Sequence, residues 1–138
     1  MESDHPLFRY FTERERGRIE GIGRVQRIAE GDFLIRAGDT DSTLFAIEDG
    51  HLDIIGLDDG RETVLATVGA GDVIGEVSFI DDSPRTVSVR AGEDSAVRAW
   101  DKRTLSEALA FEPQLLAKFA VSMSELLVER LRDMSRRV

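Results

Sequence analysis

Between Val25 and Trp100 the apolar residues come in short runs, mostly alternating with polar ones and punctuated by Gly, Asp and Pro. Period-two alternation turns one side of an extended chain toward a core. The pattern predicts strands at Val25–Ile28, Phe33–Ile35, Thr43–Ile47, His51–Leu57, Thr63–Val68, Val73–Ile74, Val87–Ala91 and Ala96–Trp100. Asp49-Gly50 and Asp59-Gly60 are hairpin signals, because both residue types tolerate positive φ. Turn signals recur about every ten residues, as in an all-β sandwich or barrel.

The flanks follow a helical rule. Thr12 to Glu15 reads as a capping box, so a short helix is expected from Glu13 to about Glu20, ended by Gly21 and Gly23. A small apolar group, Leu7, Phe8, Tyr10 and Phe11, precedes it. Thr104 to Glu107 is a second capping-box candidate, opening a short helix to about Phe111. Pro113 suits a first helical position, and a long helix should run from it to about Arg136. Its apolar residues, Leu116, Phe119, Ala120, Met123, Leu126, Leu127, Leu131 and Met134, repeat at three and four. Such a stripe covers the β domain or pairs with a second copy of the chain. Arg130, Arg132, Arg136 and Arg137 near its end complement the helix dipole.

A chain of 138 residues holds one domain with a real core. The expected layout is 1–23 as an N-terminal helical element, 24–101 as the β domain and 102–138 as C-terminal helices. The net charge of −9 argues against a nucleic-acid partner, whose affinity rests on phosphate contacts. No run is long and apolar enough for a membrane span, and no signal pattern opens the chain. Cysteine is absent and only His5 and His51 could offer imidazole, far apart, so no disulfide, metal or other cofactor is expected. The cytoplasm is the default location, and the initial Met favours a natural start. There is no nucleophile–base order and no phosphate-cradling glycine loop, which points away from an enzyme. Asp81-Asp82 reads as a solvated acidic pair. His51 is expected on a strand surface and Trp100 in the core.

One stretch carries chemistry: Gly75 to Val89, GEVSFIDDSPRTVSV. It offers a carboxylate, Glu76, and a guanidinium, Arg85, nine residues apart across a compact loop. A carboxylate only accepts, which suits sugar hydroxyls; the planar guanidinium fork suits phosphate oxygens. Residues 76–80 can form one helical turn, whose free N–H groups would add anion donors, and Gly75 allows a close backbone approach. The bland alternative is a surface loop with an incidental Glu–Arg pair.

This stretch resembles the phosphate-binding cassette of cyclic nucleotide-binding domains, as in catabolite-activator-like regulators, protein kinase A regulatory subunits and cyclic-nucleotide-gated channels. The match runs over Ile74, Gly75, Glu76, Ser78, Pro84, Arg85, Thr86 and Val89, and departs at Val87, where the family usually has Ala. Leu34 to Ile54, LIRAGDTDSTLFAIEDGHLDI, is similar to a second family stretch, so the resemblance spans most of the chain. It implies a mainly β fold: an eight-stranded, jelly-roll-like β-roll with an N-terminal helix and two C-terminal helices, the last long. It implies a ligand, cAMP ahead of cGMP, held by Gly75, Glu76, Val77, Ser78, Arg85, Thr86 and Val87, with the cassette spanning 75–87. Glu76 would take the ribose hydroxyl and Arg85 the cyclic phosphate. Arg130 falls where relatives place a residue over the base, with Arg132 as the alternative register. No DNA-binding region like that of the catabolite activators follows, so a stand-alone sensor is expected. It would form a homodimer through the last helix and signal to an unidentified protein effector. The alternatives are a dimeric scaffold that binds no nucleotide, a cyclic dinucleotide binder, and a small barrel enzyme.

Overall fold

The computed structural model describes residues 5–136, with side chains to Asp133. The element order is α1 Glu13–Ile22, β1 Arg24–Ile28, β2 Phe33–Ile35, β3 Thr43–Asp49, β4 His51–Asp58, β5 Arg61–Gly69, β6 Val73–Ile74, α2 Glu76–Asp81, β7 Ser88–Ala91, β8 Ser95–Asp101, α3 Lys102–Ala108 and α4 Pro113–Arg136. The eight strands form two four-stranded antiparallel sheets, ordered β1-β8-β3-β6 and β2-β7-β4-β5. The mainly β architecture with flanking helices is therefore as the sequence predicts.

Alternation along β3 builds two cores. Phe45 and Ile47 point between the sheets, where they meet Leu52, Val89 and Val97. Leu44 and Ala46 point the other way, onto Trp100, Leu105, Leu109 and Phe119 of the helical layer. The first sheet is thus sandwiched between strands and helices. The N-terminal group belongs to this second core: Leu7 and Phe8 are buried, while Tyr10 is exposed. His5 caps that end, and burial, followed by the nearby Arg16 charge, pushes its imidazole down to about 4.

Local chemistry explains most boundaries. Thr12 Oγ accepts from Glu15 N at 3.1 Å and Glu15 Oε1 from Thr12 N at 3.0 Å, a complete capping box. The helix runs two residues past the expected end, through Gly21, and stops at Gly23, whose N–H reaches Ile19 O and Glu20 O. At the β4–β5 turn both Asp59 and Gly60 take positive φ (51° and 78°), whereas at the β3–β4 turn only Gly50 does. The second capping box is corrected. Asp101, not Thr104, is the N-cap of α3; its carboxylate accepts from Thr104 N and Oγ1 at 3.1 Å each, and the helix ends at Ala108.

On the long helix, Phe119, Met123 and Leu126 of the expected stripe turn inward, and other members do not. Leu115, Phe119, Ser122, Met123 and Leu126 are buried, while Ala120 and Leu131 are exposed and Leu116 only packs at the edge. Met134 and the side chain of Arg136, like Arg137, lie outside the described residues. Trp100 is 1% exposed. His51 lies at the strand surface, paired with Glu93 at 2.7 Å. No helix among the described residues is long and apolar enough to cross a membrane.

Candidate functional site

The cassette starts from β6, buried and paired with β3. At Gly75 the backbone swings to φ 86°, ψ 13°, left-handed, and reverses into the six-residue α2. Only glycine fits. A Cβ there would lie 2.8 Å from Arg85 Nη1 and 2.8 Å from Thr43 O, in a backbone region that L side chains rarely adopt. The short helix ends at Asp82, itself left-handed (φ 58°). Asp82 accepts from Ser42 Oγ at 2.6 Å and Lys102 Nζ at 3.2 Å, while Asp81 accepts from Ser83 N at 2.9 Å. Interaction with Ser42, then Lys102, holds Asp82 below the ordinary carboxylate range. The acidic pair is thus a surface feature that fastens the loop.

Arg85 is buried at 5% exposure, and the 36–41 loop is its template. Arg85 N donates to Asp39 O and Gly38 N donates to Arg85 O, both at 2.8 Å. The guanidinium fork grips Asp41, Nε to Oδ2 at 3.2 Å and Nη2 to Oδ1 at 2.7 Å. Nη2 also reaches Thr43 O at 2.6 Å, and Nη1 reaches Gly75 O at 3.1 Å. Partial burial opposes the Asp41 charge, but Arg85 and the Thr43 amide outweigh it and hold its pKa below the usual value.

Glu76 opens α2 and is 5% exposed. Its Oε1 accepts from Arg130 Nη1, and Arg130 Nη2 donates to Val73 O, so α4 reaches into the cleft. Glu76 Oε2 is buried and has no hydrogen-bond partner among the described residues.

These groups meet in one cleft. It is lined by Gly75, Glu76, Val77, Ser78, Arg85, Thr86, Val87 and Arg130, the eight residues singled out from sequence. Ile35, Ile54, Ile74 and Val89 complete an apolar wall. Arg132 points elsewhere, lining a groove on the outer side of α4 with Arg9 and Val128. Sequence reasoning missed Asp41, whose place in GDTDS carries no chemical signal of its own, and missed that Arg130 bonds the Glu76 carboxylate. The site pairs two cations with two anions, Arg85 with Asp41 and Arg130 with Glu76. Between them it presents an accepting oxygen, an apolar shelf and a buried positive centre. Among the described residues no group of three or more His, Asp or Glu could hold a metal ion.

The family model described as the cyclic nucleotide-binding domain matches residues 25–110. The chain belongs to the cyclic nucleotide-binding domain family. A cyclic nucleotide-gated cation channel polypeptide from Drosophila melanogaster is 36% identical over 115 residues, 77% of this chain and 17% of the channel polypeptide. The chain thus spans about a sixth of that relative. A crystal structure of a cyclic nucleotide-binding domain from Methylobacillus flagellatus superposes with a TM-score of 0.85 at 27% identity, over 93% of this chain and 72% of that one. The regulatory domain of Toxoplasma gondii protein kinase A, crystallised with cAMP, superposes at 0.67 with 26% identity, over 75% and 40% of the two chains.

Proposed function

We propose that this domain is a cyclic-mononucleotide sensor, cAMP ahead of cGMP, that relays binding through α4 to a protein effector in the cytoplasm. The observation that carries this is the cleft itself. A buried arginine and a buried glutamate with one free oxygen face an apolar shelf. A cyclic nucleotide is an anion, a hydroxyl donor and a flat apolar ring in that order. Glu76 takes the ribose hydroxyl. Arg85 supplies the positive charge for the phosphate, helped by Thr86 and by backbone N–H groups at Val77 and Ser78 that the first turn of α2 leaves unpaired. Ile54, Val87 and Val89 offer the base its shelf. Binding chemistry alone is required, so the domain acts as a binder rather than an enzyme.

The test is a calorimetric titration of purified protein, first cleared of any ligand carried through purification, with cAMP, cGMP and a cyclic dinucleotide. Micromolar affinity for cAMP, about −8 kcal/mol, is expected. Binding of the dinucleotide alone would replace the ligand class. No binding by folded protein would favour the second reading, a scaffold that needs no nucleotide. That reading draws on Arg85, whose fork already makes four hydrogen bonds to the protein.

We further infer a homodimer through α4. The helix buries one apolar face on the β domain and shows a second to solvent: Ala117, Val121, Ser124, Val128 and Leu131, spaced four, three, four, three. This spacing suits the seam of a coiled coil, with β-branched Val at both a positions, which favours two strands. Val128→Glu would put two like charges in the seam. Sedimentation should show a dimer for the wild type and a monomer for the variant; a monomeric wild type at tens of micromolar removes the interface.

A further inference from the structure

Residues 5–11 cross the helical core as a strap, far from the cleft. Leu7 and Phe8 are buried in that core, and Phe8 meets the Trp100 ring edge-on. Arg9 then pairs with Glu125 at 3.1 Å and Glu129 at 3.6 Å, and Tyr10 Oη donates to Glu125, so the strap also reaches the outer side of α4. A side chain closes its first turn. His5 Nδ1 accepts from Leu7 N at 3.2 Å, while His5 O accepts from Phe8 N at 3.0 Å. An imidazole that accepts at Nδ1 is neutral, with its proton on Nε2. A second proton can go only to Nδ1, the atom that faces the Leu7 N–H. Protonation therefore turns a hydrogen bond into a clash of two donors.

We propose that His5 is an acid-sensitive latch: a proton on Nδ1 breaks its bond to Leu7 N and frees the 5–11 strap from Trp100 and α4 while the β domain stays folded. The surroundings act in the same direction. The ring packs on Phe8, with centroids 4.9 Å apart, and lines a cavity with Arg16 and Glu20 of α1, Glu48 of β3 and Arg98 of β8. Arg98 holds Glu48 at 2.7 Å, and Arg16 lies 3.5 Å from Glu20. Asp72, before β6, and Glu48 favour an imidazolium, but burial and then Arg16 outweigh them and bring the pKa from 6.5 to about 4. Once free of the core, His5 regains the ordinary value. The closed strap is thus at full strength above about pH 6.5 and loses strength as the pH falls toward 4. Release also changes what α4 offers a partner, because Arg9 lines the outer groove of that helix with Val121 and Val128. None of this needs a nucleotide.

The experiment is amide hydrogen exchange at pH 7.5 and pH 5, corrected for intrinsic rates, on wild type, His5→Asn and His5→Ala. The full shift makes opening about 25-fold more frequent at pH 5; the ring is partly exposed and screened, so about tenfold is expected at the Leu7, Phe8 and Phe11 amides. Asn accepts from the amide two residues on and does not titrate, so His5→Asn should stay closed and change less than threefold. His5→Ala lacks the acceptor and should be more open at both pH values, with the same flat response. An undiminished pH dependence in His5→Asn would assign the effect to the exposed carboxylates Glu125 and Glu129 and overturn the latch. The strap amides must also open more readily than Val97 in the core between the sheets; equal opening constants at pH 5 would mean that the whole domain unfolds, which overturns it too. Proton NMR supplies a second readout. The chain has two histidines, and His5→Asn identifies the ring signals of each. A His5 ring that titrates at the ordinary 6.5 rather than near 4 is not held in the strap, and the proposal fails.

Discussion

Arg85→Ala is expected to weaken cAMP binding about a hundredfold or more and to lower stability by about 1–3 kcal/mol. The binding loss follows from charge. The protein carries a net −9, and Arg85 is the buried cation in the cleft. Without it, an anion would enter a pocket with no buried cation between it and the Asp41 carboxylate behind. The stability loss follows from geometry. Four hydrogen bonds disappear, to Asp41 twice, to Thr43 O and to Gly75 O. The Asp41 side chain is 45% exposed and can turn to water, which keeps the cost well below that of an orphaned buried ion. The two carbonyls flank the Gly75 turn, so the damage is local to the cassette. Calorimetry reads the first effect. Urea unfolding followed by Trp100 fluorescence reads the second, since Trp100 is the sole tryptophan. Arg85→Lys should recover part of the affinity but not the stability, because a point charge cannot fork onto Asp41. Cyclic-nucleotide affinity within threefold of wild type in Arg85→Ala would refute the assignment of the phosphate site.

Strands and turns were legible because each carries its own local signal. Alternation, together with short apolar runs set between turn signals, named all eight strands, and the Asp59-Gly60 turn takes the two positive φ values its residues permit. Most of the cleft residues were legible because Gly75 to Val87 is contiguous: a turn and one short helix follow β6, while the 36–41 loop holds Arg85 and α4 brings Arg130 to the same cleft. What failed depends on distance or on competition. Asp41 is 44 residues from its partner Arg85, and no period or spacing joins them. The expected stripe of α4 merged two faces, because the helix has two apolar stripes. Leu115, Phe119, Met123 and Leu126 form one, and Val121, Val128 and Leu131 another; a count at three and four runs across both. Asp101 lost to Thr104 in the sequence reading because it looks like the end of a strand. In the structure it serves both, closing β8 and capping α3.

Trp100→Ala is expected to remove about 3–5 kcal/mol, a large share of the roughly 5–15 kcal/mol that holds a domain of this size. Trp100 is where the β domain and the helices meet. It is cross-strand partner to Leu44 and 1% exposed. Its ring meets Phe8 edge-on at 6.1 Å and Phe119 of α4 at 6.5 Å, and its Nε1 donates to Ile19 O at 2.8 Å. Gly23 leaves room for it: a Cβ there would lie 2.9 Å from Nε1. Truncation opens a cavity bordered by the N-terminal segment, α1, α4 and β3, which cannot collapse without moving a helix. The variant lacks the fluorescent reporter, so circular dichroism in urea is the measurement; a lower midpoint at unchanged slope would be the expected form. Trp100→Phe should cost less, about 1–3 kcal/mol, since it keeps much of the ring and removes one of the two donors to Ile19 O, leaving Gly23 N. A loss below about 1 kcal/mol in Trp100→Ala would mean that the helical layer is held elsewhere. The effect should also reach the cleft. Phe119 touches Phe79 of α2 at a ring distance of 6.0 Å, so one cluster supports both the cassette helix and the helix that delivers Arg130. Nucleotide affinity should therefore fall in Trp100→Ala even though the side chain lies outside the cleft, and fall less in Trp100→Phe, in proportion to the packing each variant retains.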